Sequence, residues 1–161
     1  MHRDQSFDVA LDDVRRRYIE LQQALHPDRF VHKDDAERHR AHTASSLVSK
    51  AYNTLKDPLE RATYLLHLHG VDLTDESIKH ELDPELLLEV MEERERLAEA
   101  EEGEQLKAIA EENQARMDTT LDDISIAFKN SDIVAARDAI IRLKYWSSLH
   151  HALEERQASS M

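Results

Sequence analysis

With 161 residues, 34% of them charged, and only 2 Gly and 3 Pro, the chain has the composition of long solvated helices, not of turn-rich β-structure. The lack of Cys excludes disulfides, thiolate metal sites and cysteine nucleophiles, and a formal net charge of −13 argues against non-specific binding to nucleic acid or anionic membranes. Aromatic residues make up 5% of the chain, so its core must rest mainly on Leu, Ile, Val and Ala.

Met1 to Phe7 is polar and lacks the apolar stretch of a secretory signal, and Asp4, Asp8, Asp12 and Asp13 have the wrong sign for a mitochondrial presequence. Phe7, Leu11, Val14, Tyr18, Leu21 and Leu25 then recur at spacings of four and three, which predicts one helical stripe with Arg15, Arg16 and Arg17 largely off its centre. His26-Pro27 stops that helix, because Pro27 cannot donate to an intrahelical bond and restricts the residue before it. The polar run from Asp28 to Asp35 reads as a loop. A second helix is legible through Ala44, Leu47, Val48, Ala51 and Leu55, ending near Lys56. Asp57-Pro58-Leu59-Glu60 supplies a cap, a proline at the first helical position and an acid two residues on, and Gly70 is a natural stop for the short helix that follows.

Val71 to Leu82 has no sustained period and reads as a linker. Asp83-Pro84 repeats the cap-plus-proline start, for a helix expected to run to about Glu102 and break at Gly103. Leu106, Ile109, Asn113, Met117, Leu121, Ile124 and Phe128 carry the next helix. Asn130-Ser131-Asp132 ends it and caps a last one through Ile133, Ala136, Ile140, Leu143, Trp146, Leu149 and Leu153. No segment has the period-two alternation of a strand, and no apolar run approaches the ~18–20 residues of a membrane span. Charge is unevenly spread. Arg15 to Arg61 holds 10 Lys/Arg against 7 Asp/Glu, and Asp72 to Asp118 holds 5 against 17, a pattern of two surfaces with different partners.

His26-Pro27-Asp28 lies between two helices, directly after a basic face. Alone, the tripeptide is most simply a helix terminator, since Pro and Asp are common turn residues. Its context is more specific. Leu25-His26-Pro27-Asp28-Arg29-Phe30, then Ala51 to Ala62 with Tyr52-Asn53-Thr54-Leu55, then Tyr64-Leu65-Leu66-His67-Leu68-His69-Gly70 and an acidic Leu-rich tail, together resemble the HscB-type J-domain co-chaperones of iron–sulfur cluster biogenesis. The resemblance covers about residues 7–157. It implies an all-α protein of roughly L shape, with a J-domain helical hairpin over residues 1–70, a linker over 71–83 and a three-helix scaffold-binding bundle over 84–158. It also implies that the short helix which usually opens a J-domain is missing ahead of Phe7.

The resemblance further implies an interaction with no reaction performed by this chain. His26, Pro27 and Asp28, with Arg16, Arg17 and Arg29, would dock on a 70-kDa-class heat-shock chaperone and stimulate its ATPase. Lys33 would add to the electrostatic steering. The compartment implied is the mitochondrial matrix, with the bacterial cytoplasm as alternative.

The helix from Pro84 has too many apolar residues for one buried stripe. With Leu86 at zero and about 100° per residue, Leu97 and Val90 fall within about 40° of it, whereas Leu87, Met91 and Leu88 lie about 100–200° away. Beside them stand the carboxylates Glu92 and Glu95. Pattern alone leaves two readings level: a protein-binding patch, or a face covered by the other bundle helices. The resemblance favours the first and implies that Leu87, Leu88, Met91, Glu92 and Glu95, with Tyr145 on the last helix, bind the iron–sulfur cluster scaffold protein.

A general J-domain co-chaperone for other clients is the nearest alternative. A helical metal-binding protein is the alternative of another class, prompted by 10 His. Against it, His39 and His42, His67 and His69, and His150-His151 form no His-Glu-x-x-His or paired Glu-x-x-His motif. No cofactor, metal ligand set or catalytic residue is expected.

Overall fold

The structure, a computed structural model, describes residues 6–74, 77–78, 83–101 and 103–159. Among them are six α-helices, one 3-10 turn and no strand: α1 (Leu11–Ala24), the turn (Pro27–Phe30), α2 (Asp35–Lys56), α3 (Pro58–Leu68), α4 (Pro84–Glu99), α5 (Glu104–Lys129) and α6 (Ile133–Ser159). The all-α expectation therefore holds. The chain divides into two compact units between Tyr64 and Leu65, inside α3.

In the first unit, α1 starts later than the stripe implied. Ala10 is extended and caps the helix, so Phe7 precedes it. Phe7 is nonetheless buried, because the Arg61 guanidinium lies 4.7 Å from its ring and donates to its carbonyl at 2.9 Å. Arg61 also donates to Leu55 O at 2.6 Å, tying the segment before α1 to the α2–α3 junction. Burial pulls the Arg61 guanidinium below its ordinary range, against Asp57 and Asp8, which raise it.

The hairpin of α1 and α2 is pinned by a polar clasp and an aromatic stack. Gln22 donates to Ser49 Oγ (2.8 Å) and Ser45 O (3.1 Å), and Ser45 Oγ donates back to Gln22 Oε1 at 2.7 Å. Tyr18 and Tyr52 stack with ring centroids 4.3 Å apart. Each satisfied, half-buried hydrogen bond is worth about 1 kcal/mol, and together they fix the register of the two helices. Val14, Leu21, Val48 and Leu55 line the apolar groove around the stack.

The helix α2 begins at Asp35, well before the first apolar residue that marked it, because Asp34 accepts from Glu37 N–H at 2.7 Å. Leu47, expected on the buried stripe of α2, is exposed. The cap at α3 is as expected, with Asp57 Oδ1 accepting from Glu60 N–H at 2.8 Å.

In the second unit α3 ends at Gly70 (φ +81°). There Val71 N–H reaches Leu66 O at 3.2 Å and Gly70 N–H reaches His67 O at 2.9 Å, the paired bonds of a left-handed helix terminus. The same motif closes α5 with a non-glycine residue. Ser131 (φ +56°) donates to Phe128 O at 3.1 Å and Asp132 N–H to Ala127 O at 2.9 Å. Asp132 then caps α6 by accepting from Ala135 N–H at 3.0 Å.

The core of this unit joins α4 (Leu86, Val90, Leu97), α5 (Leu106, Ile109) and α6 (Ile141, Trp146, Leu149, Leu153). Ile78, from the segment read as a linker, is buried in the same core. The helix α4 ends at Glu99 with Ala100 as cap, and the Glu102 end expected from the sequence lies outside the described residues.

From α6, Arg156 closes the C-terminus of α4 by donating to Leu97 O (2.8 Å), Ala98 O (3.1 Å) and Ala100 O (2.6 Å). A cation on the last carbonyls of a helix satisfies both their orphan acceptors and the helix dipole. Arg156→Met, which keeps the aliphatic stem, is expected to cost about 2 kcal/mol and lower the melting temperature by several degrees in calorimetry.

Candidate partner-binding surfaces

The first surface is the turn after α1. His26 takes the extended conformation (φ −59°, ψ 135°) that a residue before proline prefers, and Pro27 occupies the first position of the 3-10 turn. His26 Nδ1 accepts from Asp28 N–H at 3.3 Å and lies 3.5 Å from Asp28 Oδ2. Both side chains are exposed, that of Asp28 almost fully. The sequence thus folds into an exposed pair, an imidazole and a carboxylate, set by Pro27 and by the histidine's own capping contact.

The basic residues around it are also exposed. Arg16 pairs with Asp13 (2.7 Å) and Arg17 with Glu20 (3.2 Å), each within α1, and Lys33 pairs with Glu37 at 3.7 Å. Exposed pairs of this kind contribute only a few tenths of a kcal/mol, so an incoming carboxylate can take either guanidinium at little cost. Arg29 is exposed at the end of the 3-10 turn.

The second surface lies on α4. Asp83 accepts from Glu85 N–H at 3.0 Å and Pro84 opens the helix, which sets its rotation about the core. Leu86, Val90 and Leu97 are buried as the wheel requires, and Leu87, Leu88 and Met91 are left 43%, 59% and 58% exposed. Neither α5 nor α6 covers them, so the reading of a face covered by the other bundle helices does not hold. Glu92 and Glu95 are exposed alongside. Tyr145 is half-buried and packs against the bundle core, while Trp146 is buried within it. Arg94 donates to Ser148 Oγ at 2.8 Å, and Arg156 meets Leu97 and Ala98, so α4 and α6 run parallel. Met91 and Tyr145 each lie three residues before the Arg94–Ser148 pair and so stand at the same level of the bundle.

Beneath this face lies a charged cluster that hydrophobic periodicity does not reveal. On the same wheel Glu93 sits about 20° from Leu86, at a core position, and it is buried. Arg116 of α5 donates to Glu93 Oε1 at 2.8 Å, approaches Glu89 at 3.5 Å and stacks 5.3 Å from the centroid of Trp146. Arg96 bridges Glu93 (3.6 Å) and Glu112, and its hydrogen bond holds the exposed Glu112 carboxyl below the usual carboxylate range. Next to it Asn113 donates to Trp146 O at 3.0 Å. The signal that could have found the cluster was a glutamate at a wheel position otherwise reserved for Leu and Val.

Of the histidines, His67 meets Asp72, His69 stacks on Phe128, and His150 and His151 both approach Glu154 at 3.4 Å. Among the described residues no group of three or more His, Cys, Asp or Glu could hold a metal ion, and no helix is long and apolar enough to cross a membrane.

Residues 82–154 match the family described as the HSCB C-terminal oligomerisation domain. The chain is 34% identical over 151 residues to the human iron-sulfur cluster co-chaperone protein HscB, covering 94% of this chain and 64% of that one. It is 35% identical over 150 residues to a mitochondrial J-type co-chaperone of Schizosaccharomyces pombe, with 92% and 65% covered. It thus spans a little under two thirds of the length of those two relatives. With the HscB homologue of a Shewanella species it shares 32% over 155 residues, covering 92% of this chain and 88% of that protein. The crystal structure of human HscB superposes with a TM-score of 0.91 at 33% identity, over 98% of this chain and 79% of that one. HscB from Vibrio cholerae gives 0.87 at 30%, over 98% and 94%. The chain belongs to the HscB family of co-chaperones.

Proposed function

We propose that this chain binds an iron–sulfur cluster scaffold protein and presents it to a 70-kDa-class heat-shock chaperone, whose ATP hydrolysis it stimulates. The observation that carries this reading is the exposed apolar trio Leu87, Leu88 and Met91 on the face of α4 away from its buried stripe. Glu92 and Glu95 form the acidic rim and Tyr145 the neighbouring aromatic of the scaffold site. His26, Pro27 and Asp28, steered by Arg16, Arg17 and Arg29, form the chaperone site. In this reading residues 1–70 serve as the chaperone-facing J-domain, 84–158 as the scaffold-facing bundle, and 71–83 as the segment between them.

The chain itself performs no reaction; hydrolysis takes place in the chaperone. Its contribution is to hold client and chaperone on one polypeptide, which raises the effective concentration of each for the other. The mitochondrial matrix is the compartment this reading favours, with the bacterial cytoplasm as alternative.

Calorimetric titration of the purified chain against the scaffold and against the ATP-bound chaperone tests it. Saturable binding of both, with a three-protein complex on gel filtration, is expected. Binding of the chaperone but not the scaffold would replace this reading with a co-chaperone for other clients.

A further inference from the structure

Met91 combines two properties that no other described sulfur in the chain shares. It is 58% exposed, and it sits one helical turn from both Leu87 and Leu88 in the apolar patch. Met117 is the contrasting case. It is half-buried against the bundle core, with its sulfur 3.7 Å from Asn113 Nδ2. Met1 and Met161 lie outside the described residues. Because the chain has no Cys, thioethers are its only oxidisable sulfur.

We infer that Met91 is an oxidation-sensitive modification site that controls scaffold binding. The inference rests on the scaffold-binding reading above. The oxidant is hydrogen peroxide. The Met91 Sδ lone pair attacks one peroxide oxygen, an S–O bond forms and the O–O bond breaks. The sulfur loses two electrons to become the sulfoxide, and the second oxygen leaves as water with the proton released from the first. The product places a polar, strongly hydrogen-bonding S=O where a partner needs a flexible apolar side chain. A desolvated contact at the centre of an interface is where such a change is felt most. Exposure makes Met91 react faster than Met117, so a brief oxidative pulse would reach the patch before it reaches the core. The sulfoxide is reversible by methionine sulfoxide reductases, so the change would act as a switch and not as permanent damage.

The test uses the full chain and purified scaffold protein. The chain is treated with limiting hydrogen peroxide, the added oxygen is located by peptide mass spectrometry, and scaffold affinity is measured by calorimetry. Trp146, the single tryptophan, serves as an internal control, since it is buried and its carbonyl accepts from the same Asn113 that contacts Met117. The expected result is oxygen on Met91 ahead of Met117, at least about tenfold weaker scaffold binding, unchanged Trp146 emission, and recovery after treatment with both reductases and a dithiol. Met91→Leu, compared with its own untreated form, should keep its affinity through the same treatment. Full oxidation of Met91 without loss of affinity, or equal losses in the parent and Met91→Leu, would overturn the inference and leave the scaffold-binding reading intact. An untreated chain that does not bind scaffold at all overturns both.

Discussion

Replacing Leu88 and Met91 together by Ala is expected to weaken scaffold binding about 100-fold or more while leaving the melting temperature within a degree or two. The two effects separate because the side chains are more than half exposed in the free protein, so truncating them opens no cavity. Binding is different. An interface of ordinary size draws most of its energy from a few apolar anchors that become fully desolvated, and losing two of them removes roughly 3 kcal/mol or more. The rim should behave otherwise. Reversing Glu92 and Glu95 to Lys is expected to slow association and change its salt dependence more than it accelerates dissociation. Stopped-flow and calorimetric measurements on the two double variants distinguish anchors from rim. Equal affinity of the Leu88/Met91 variant and the parent would place the scaffold elsewhere.

Arg116→Met is expected to be among the most damaging single changes to stability in the second unit. Its guanidinium partners the buried Glu93 carboxylate, approaches Glu89 and covers Trp146. Removing it strands a charge in a site with little solvent. Breaking a buried pair from one side costs about 3–5 kcal/mol. Since Arg96 still reaches Glu93 at 3.6 Å, the lower end of that range is expected, about 3 kcal/mol, with a fall in melting temperature of ~10 °C or more. Replacing both partners, Glu93→Met with Arg116→Met, should recover most of the loss, because an apolar pair of similar volume has no desolvation cost to offset. A double variant as unstable as Arg116→Met would show that the stacking on Trp146, and not the ion pair, carries the effect.

Helix starts and stops were legible wherever the chemistry was local. Asp57-Pro58, Asp83-Pro84 and Gly70 act where the sequence places them, because a cap or a left-handed residue needs only its immediate neighbours. The exposed patch of α4 was legible in part: the wheel separated Leu87, Leu88 and Met91 from the core stripe, but only the packing of α5 and α6 shows that neither helix covers them. Three features escaped periodicity for identifiable reasons. Phe7 fitted the stripe of α1 but lies before the helix, held by Arg61 from 54 residues away. Leu47 fitted the stripe of α2 yet is exposed, since α1 covers only part of that helix and the Gln22–Ser49 clasp sets which part. Glu93 looked like a solvated charge, and its core position becomes tolerable only through Arg116 on another helix. In each case the deciding partner is distant in sequence.

The most direct test of the account is steady-state ATP hydrolysis by the cognate chaperone, with this chain and the scaffold added separately and together, alongside His26→Gln. The histidine side chain is exposed and meets Asp28 in the turn, while the bond from Arg29 N–H to its backbone carbonyl survives substitution, so the variant should fold and melt like the parent. Stimulation by the chain, a larger effect with scaffold present, and loss of both in His26→Gln are expected. Equal stimulation by His26→Gln and the parent, or none from a chain shown to be folded, would contradict it.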